Sequence, residues 1–195
     1  RMTSEEIVRQ IESFNYFRDS LDIPLKLIFT PTANAKIVHQ RDGEKFVAFK
    51  EGHTLFRDSE ALMREKGATR SGGSVSCLGL DCLIQFGCNP ILLVGQDCAF
   101  PGNRVYSRHS NMEETFLHAF SAINTVASFH LERSREHKRI KAPTYGGFET
   151  TTNQTLYSYL RNIEQIAEIH PETKIYNLFA HGARIDRVTP VNSIG

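Results

Sequence analysis

The sequence predicts an α/β domain of three layers built on a mainly parallel sheet, and three observations carry that prediction. Short apolar runs suited to strands alternate with longer runs whose apolar residues recur at helical spacing. A helix stop stands directly before a strand at Gly87 to Pro90, where a left-handed cap position and Asn89-Pro90 precede the wholly apolar Ile91-Leu92-Leu93-Val94. There is no repeat, low-complexity tract or linker-like stretch. At roughly 100–200 residues per domain, 195 residues therefore read as one domain over 1–195.

In chain order, Thr3 and Glu6 form a capping box before Ile7, Ile11 and Phe14, which predicts an amphipathic helix. Leu25 to Phe29 reads as a strand, and Phe46 to Phe49 as a second one after the turn signal Asp42-Gly43. Residues 57–66 are charged and read as a helix with Gly67 as its stop. Ser71 to Ser74 opens a helix whose apolar stripe is Val75, Leu78, Cys82, Leu83 and Phe86. The run Ile91 to Val94 fits a strand buried on both faces of a parallel sheet. A long helical pattern from Met112 to about Arg133 follows, with Phe116, Phe120, Ile123 and Val126 inward, and it runs into the basic stretch Arg133 to Lys141, which reads as the solvated end of that helix and otherwise as a place to attract an anionic donor or acceptor. Thr151 and Gln154 look like a second capping box, leading a helix with Leu156, Leu160, Ile163 and Ile166 inward. Pro171 stops that helix, and Lys174 to Phe179 reads as the next strand.

Composition narrows the class. Lys and Arg number 23 against 22 Asp and Glu, a net charge of +1, which gives no electrostatic footprint for wholesale nucleic-acid binding. No apolar run approaches the ~18 residues that cross a bilayer, and the start has no basic, apolar, small-residue leader pattern. The expectation is a soluble, cytoplasmic chain with neither membrane nor nucleic-acid partner. Cys77, Cys82, Cys88 and Cys98 include no Cys-x-x-Cys, so buried thiols are expected rather than a disulfide frame or a zinc site.

In open α/β sheets, ligands collect at strand carboxyl ends and helix N-termini. That rule selects Ser71, Gly72, Gly73 and Ser74, where two glycines let backbone approach a phosphate at a helix start; an ordinary capped helix would carry the same residues. It also selects Gly95, Gln96 and Asp97 at the exit of the apolar strand, read equally as a polar loop satisfied by its own backbone. In the loop beyond, Arg104 and Arg108 can meet anionic oxygens, Tyr106 can donate to them, and His109 is the nearest titratable group, with His130 a second candidate base. Tyr145 to Thr152 is a third glycine-bearing place, for which helix capping suffices. Gly-x-x-x-x-Gly-Lys-Ser/Thr, Gly-x-Gly-x-x-Gly, His-Glu-x-x-His and Asp-x-Asp are all absent from the sequence. No metal site and no cofactor are expected, and a departing phosphate would be stabilised by Tyr, Arg and helix N–H groups.

Two blocks resemble a known family. Gly72-Gly73-Ser74-Val75 with Gly95-Gln96-Asp97-x-Ala99-Phe100 is one; Gly146-Gly147, Thr150-Thr151, Leu160-Arg161, Ile175-Tyr176-Asn177 and Gly182-Ala183-Arg184-Ile185 make the other. Together, over roughly residues 24–187, they resemble the motility accessory factor (Maf) family of flagellin glycosyltransferases. That superfamily is shared with MptE-like 6-hydroxymethylpterin diphosphokinases and is similar to bacterial sialyltransferases. The resemblance implies a Rossmann-like core and transfer of a nonulosonic, sialic-acid-like sugar from a CMP donor to Ser or Thr of flagellin. It implies Gly72 to Ser74 near the donor, Gly95 to Asp97 near the cytidine or its ribose, and Tyr106 where sialyltransferases place a phosphate-binding tyrosine. Many relatives carry a histidine a dozen or so residues past the Gly-Gln-Asp motif, where this chain has Val105-Tyr106 and then His109. The family's upstream βα unit with a Gly-x-Gly-Pro-Ser turn has no match in residues 1–70, so the chain is expected to be a fragment lacking that unit.

The leading expectation is thus metal-independent, inverting glycosyl transfer, with the nucleotide sugar and flagellin as partners. His109 or His130 would deprotonate the acceptor, and Tyr106 with Arg104 or Arg108 would hold the leaving phosphate. The alternatives are a 6-hydroxymethylpterin diphosphokinase using ATP and Mg²⁺, and a non-catalytic nucleotide- or protein-binding module.

Overall fold

A computed structural model describes residues 26–40, 42–51, 61, 65, 67–70, 72–105, 125–135, 138–178 and 182–192. They form an α/β architecture in which three of the four strand pairings are parallel. The predicted N-terminal helix from Thr3 and the stripe Phe116, Phe120 and Ile123 lie outside the described residues, as does most of the helix predicted over 57–66. The chain divides into two compact units, Arg1–Thr69 and Arg70–Gly195.

In the first unit β1 (Leu27–Phe29) and β2 (Lys45–Val47) pair in parallel, with α1 (Ala35–Gln40) between them in the chain. Gly43, at φ +94, makes the turn expected of Asp42-Gly43. The second strand ends earlier than its apolar pattern because Phe49 changes partner: its carbonyl accepts from Thr69 N at 2.7 Å and from Thr69 Oγ1 at 2.9 Å.

The second unit is built on a parallel sheet of order β3 (Ile91–Val94), β6 (Ile175–Leu178), β7 (Thr189–Val191). α2 (Val75–Gln85) and α4 (Gln154–Ile169) contribute Cys77, Leu80, Leu160 and Ile163 to a core shared with Ile91 and Ile175. Asn89 ties the starts of β3 and β6 together: its Nδ2 donates to Glu172 O and its Oδ1 accepts from Lys174 N, both at 3.0 Å. β7 has no counterpart among the predicted strands. Its Pro190 stands opposite Asn177 on the outer strand of the sheet, where a missing N–H is tolerated.

Four expectations change. The buried face of α2 is Cys77, Leu78, Leu80, Asp81 and Cys82, while Val75, Leu83 and Phe86 of the predicted stripe are exposed. The helix is apolar nearly all round, so its own periodicity does not choose the inward side. β3 is not buried on both faces: Ile91 is buried but Val94 is 62% exposed, because among the described residues β3 pairs only with β6. The basic stretch does not remain helical. After α3 (Val126–Arg135), β4 (Arg139–Pro143) pairs antiparallel with β5 (Glu149–Asn153), and Gly147 at φ +80 serves the hairpin turn. Finally, α4 is capped by Asn153, whose side chain accepts from Leu156 N at 2.8 Å; Thr151 and Thr152 belong to β5.

The thiols are buried as expected, apart from the half-buried Cys88. Burial pushes the Cys98 thiol up from 9.0 to about 12, with Cys77, Asp97 and Glu164 adding to it. The folded chain then keeps a proton that the unfolded chain releases, so stability present below pH 9.0 is lost as pH rises toward about 12. Melting temperature measured across that window is expected to fall, and to fall less steeply in Cys98→Ala.

Candidate functional site

The chain reverses between α2 and β3, which brings the first turns of α2 to the carboxyl end of the strand. Ser76 and Gly79 line one groove of about 200 Å³ together with Leu83, Leu92, Val94 and Gln96. The sequence signals at positions 72–74 and 95–97 thus belong to one end of the second unit.

Gly72 and Gly73 stand at φ +49 and +80, backbone that side chains rarely adopt, and Ser74 caps α2 by accepting from Ser76 N at 3.1 Å. The turn is braced from two sides. Asn162 of α4 donates through Nδ2 to Gly72 O at 2.8 Å, and a Cβ on Gly72 would meet the Asn162 side chain at 2.6 Å. Asp81, 3% exposed inside α2, accepts from Arg70 N at 3.0 Å and Gln85 Nε2 at 2.7 Å. Sequence reasoning missed both braces. A carboxylate within an apolar helix was the signal for Asp81; for Asn162, 90 residues from its partner, there was none.

At the exit of β3, Gly95 takes φ +73 with nothing within 4 Å of its would-be side chain, and Gln96 and Asp97 are half-buried. Cys98 then takes φ +48, which costs a residue with a Cβ about 1–2 kcal/mol. Three contacts hold the bend. Thr152 Oγ1 donates to Cys98 O at 2.7 Å, Phe100 N donates to Thr151 O at 2.7 Å, and Ala183 N donates to Asp97 O at 2.8 Å. Gly182 lies so close that a Cβ there would meet Asp97 Cα and O at 2.7 Å. The segment past β6 is itself fixed. Glu164, 6% exposed, accepts from Asp186 N at 2.8 Å and pairs with Arg161, while Tyr145 Oη accepts from Ile185 N at 3.1 Å. Asn177, one residue short of the end of β6, is 2% exposed and its Oδ1 has no hydrogen-bond partner among the described residues.

Ser71, Tyr106, Arg108 and His109 lie outside the described residues. Arg104 is half-buried just past a 3₁₀ turn, its N–H on Pro101 O at 3.1 Å. His130 on α3 is 2% exposed, and its Nδ1 accepts from Val105 N at 3.2 Å. This bond ties the end of the 3₁₀ turn to α3. Among the described residues no three metal-ligating side chains come together, and no helix is long and apolar enough to cross a membrane.

Chemically, the arrangement offers the positive end of the α2 dipole, an uncharged groove beside it, and one amide and one carboxylate at the exit of β3. It suits a ligand with an anionic part and a neutral ring or sugar.

Residues 5–103 match a family model described as 6-hydroxymethylpterin diphosphokinase MptE-like. No curated protein and no solved structure matches the chain. The matched stretch includes Gly72 to Ser74 and Gly95 to Asp97 and ends at Asn103, so Gly182, which receives Asp97, lies beyond it. Because the neighbour it would strike is backbone, Gly182→Ala is expected to cost about 1–3 kcal/mol, read as a lower urea midpoint with an unchanged slope.

Proposed function

We propose a function on the premise that the chain belongs to the MptE-like family: it is a nucleotide-dependent transferase whose donor phosphate sits at the start of α2, beside the exit of β3. One observation carries this reading. The two motif blocks, distant in sequence, pack on each other at that exit, through Asp97 with Gly182 and Ala183 and through Phe100 with Thr151, while Asn162 of α4 holds Gly72. An end of a parallel sheet bearing a glycine turn, a helix start and polar strand-exit residues is where this class of fold holds nucleotides.

The finer reading is transfer of a nonulosonic sugar from a CMP donor to a Ser or Thr hydroxyl of flagellin, in the cytoplasm. Its support is the resemblance of both blocks to the motility accessory factors. His109 takes the hydroxyl proton, and the freed oxygen bonds to the anomeric carbon of the sugar. The bond from that carbon to the phosphate oxygen breaks, and its electron pair leaves on CMP. Tyr106, Arg104, Arg108 and the N–H groups opening α2 stabilise that phosphate. No metal enters the step.

A second reading, diphosphate transfer from ATP to a hydroxymethylpterin, is favoured by the description of the matched family. Mg²⁺ is commonly held by one or two carboxylates together with substrate phosphates; Asp97 is the carboxylate at the β3 exit, and a single side chain is at the low end of that requirement.

Calorimetric titration separates the readings. CMP is expected to bind with and without Mg²⁺, and more weakly to Asp97→Asn. Binding of ATP alone, dependent on Mg²⁺ and abolished in Asp97→Asn, would select the diphosphokinase. Binding of neither nucleotide would overturn both and leave a protein-binding module.

A further inference from the structure

The exit of β3 contains a cost that its own residues do not explain. Gln96 and Asp97 lie between two left-handed positions, Gly95 at φ +73 and Cys98 at φ +48. A glycine meets that geometry freely, whereas Cys98 does not. A side chain 54 residues away holds the second bend: Thr152, 0% exposed and opposite Ile140 in the β4–β5 pairing, donates its hydroxyl to Cys98 O at 2.7 Å. Both neighbours of Thr152 in the chain are committed as well. Thr151 O accepts from Phe100 N at 2.7 Å, and Asn153 starts α4.

A fully buried hydroxyl on a strand of polar residues needs a reason. Within β5 a valine would have the same shape and better strand propensity. What the hydroxyl adds is a 2.7 Å hydrogen bond to the carbonyl of the strained residue that follows Asp97, with the Asn153 carbonyl farther off at 3.5 Å. We propose that Thr152 is a positioning residue for the ligand site: by fixing the Cys98 carbonyl it holds Gln96 and Asp97 in the orientation that meets the nucleotide. The inference rests on the nucleotide-binding reading above and adds to it a residue of the hairpin, which supplies no group to the groove itself.

The test uses the full chain, with CMP and with ATP plus Mg²⁺ as probes, in three forms: unaltered, Thr152→Val and Thr152→Ser. Thr152→Val keeps the shape and deletes the hydroxyl; Thr152→Ser keeps the hydroxyl and deletes a methyl. Affinity is expected to fall about tenfold in Thr152→Val, the scale of one buried hydrogen bond, and to return to within about twofold in Thr152→Ser, although serine lowers the melting temperature. A structural role alone would make affinity indifferent to the hydroxyl. Should Thr152→Val not fold, Thr152→Ala replaces it in the comparison with serine. If the unaltered chain binds a nucleotide and the hydroxyl-free variant binds it equally well, the positioning role is overturned while the nucleotide reading stands. If the unaltered chain binds neither probe, the nucleotide reading falls, and this inference falls with it.

Discussion

The loops that leave β3 and β6 meet backbone to backbone at Asp97 and Gly182, and the second unit is arranged so that they can. Any side chain at position 182 would occupy the volume of Asp97 Cα and O. The hydrogen bond from Ala183 N to Asp97 O then follows from that proximity. Close approach of this kind is rigid because packed interiors leave no free volume to absorb a shift. The stretch after Gly182 is held by Glu164 and Tyr145, so α4 and the hairpin both contribute to where Asp97 ends up. Strand exits carry function on loops, and loops gain precision from the elements beneath them.

The helix start is held by the same means. A left-handed glycine pair would be mobile in isolation, since glycine loses more freedom on folding than any other residue. Asn162 binds the carbonyl of its first glycine and Asp81 binds the Arg70 N–H two residues earlier, and together they remove that freedom in advance. Electrostatic stabilisation by backbone N–H groups depends on their being fixed before charge arrives. Both ends of the candidate site are therefore braced from α4 and the β4–β5 hairpin, elements whose own residues contribute little to the groove.

What could be read in the sequence was what is local. Gly72, Gly73 and Ser74 are demanded by a turn and a cap, and Gly87 by a helix end; each requirement falls within a few residues of the signal. β1, β2, α2, β3, α3, α4 and β6 were legible for the same reason, whereas α1, β4, β5 and β7 were not. The inward face of α2 was not, because a helix of nearly uniform hydropathy acquires its buried side only from its neighbours. The hairpin was hidden by its polar strands, Arg139 to Pro143 and Glu149 to Asn153, which alternate too weakly to be seen. Thr151 was read as a cap because nothing nearby shows that strand pairing runs on to Asn153. Asn162, Thr152 and Gly182 act across 54 to 90 residues, and no local pattern announces such a contact.

Pro190 has a consequence beyond its place in the register. An outer parallel strand ordinarily presents a row of unmet donors and acceptors, which is a template for further pairing with other chains. β7 is short, and its central residue has no N–H to give. A strand approaching that side finds the ladder interrupted at its midpoint and a pyrrolidine ring in the way. Among the described residues no further strand pairs with β7, and its proline makes that border poorly suited to seed aggregation.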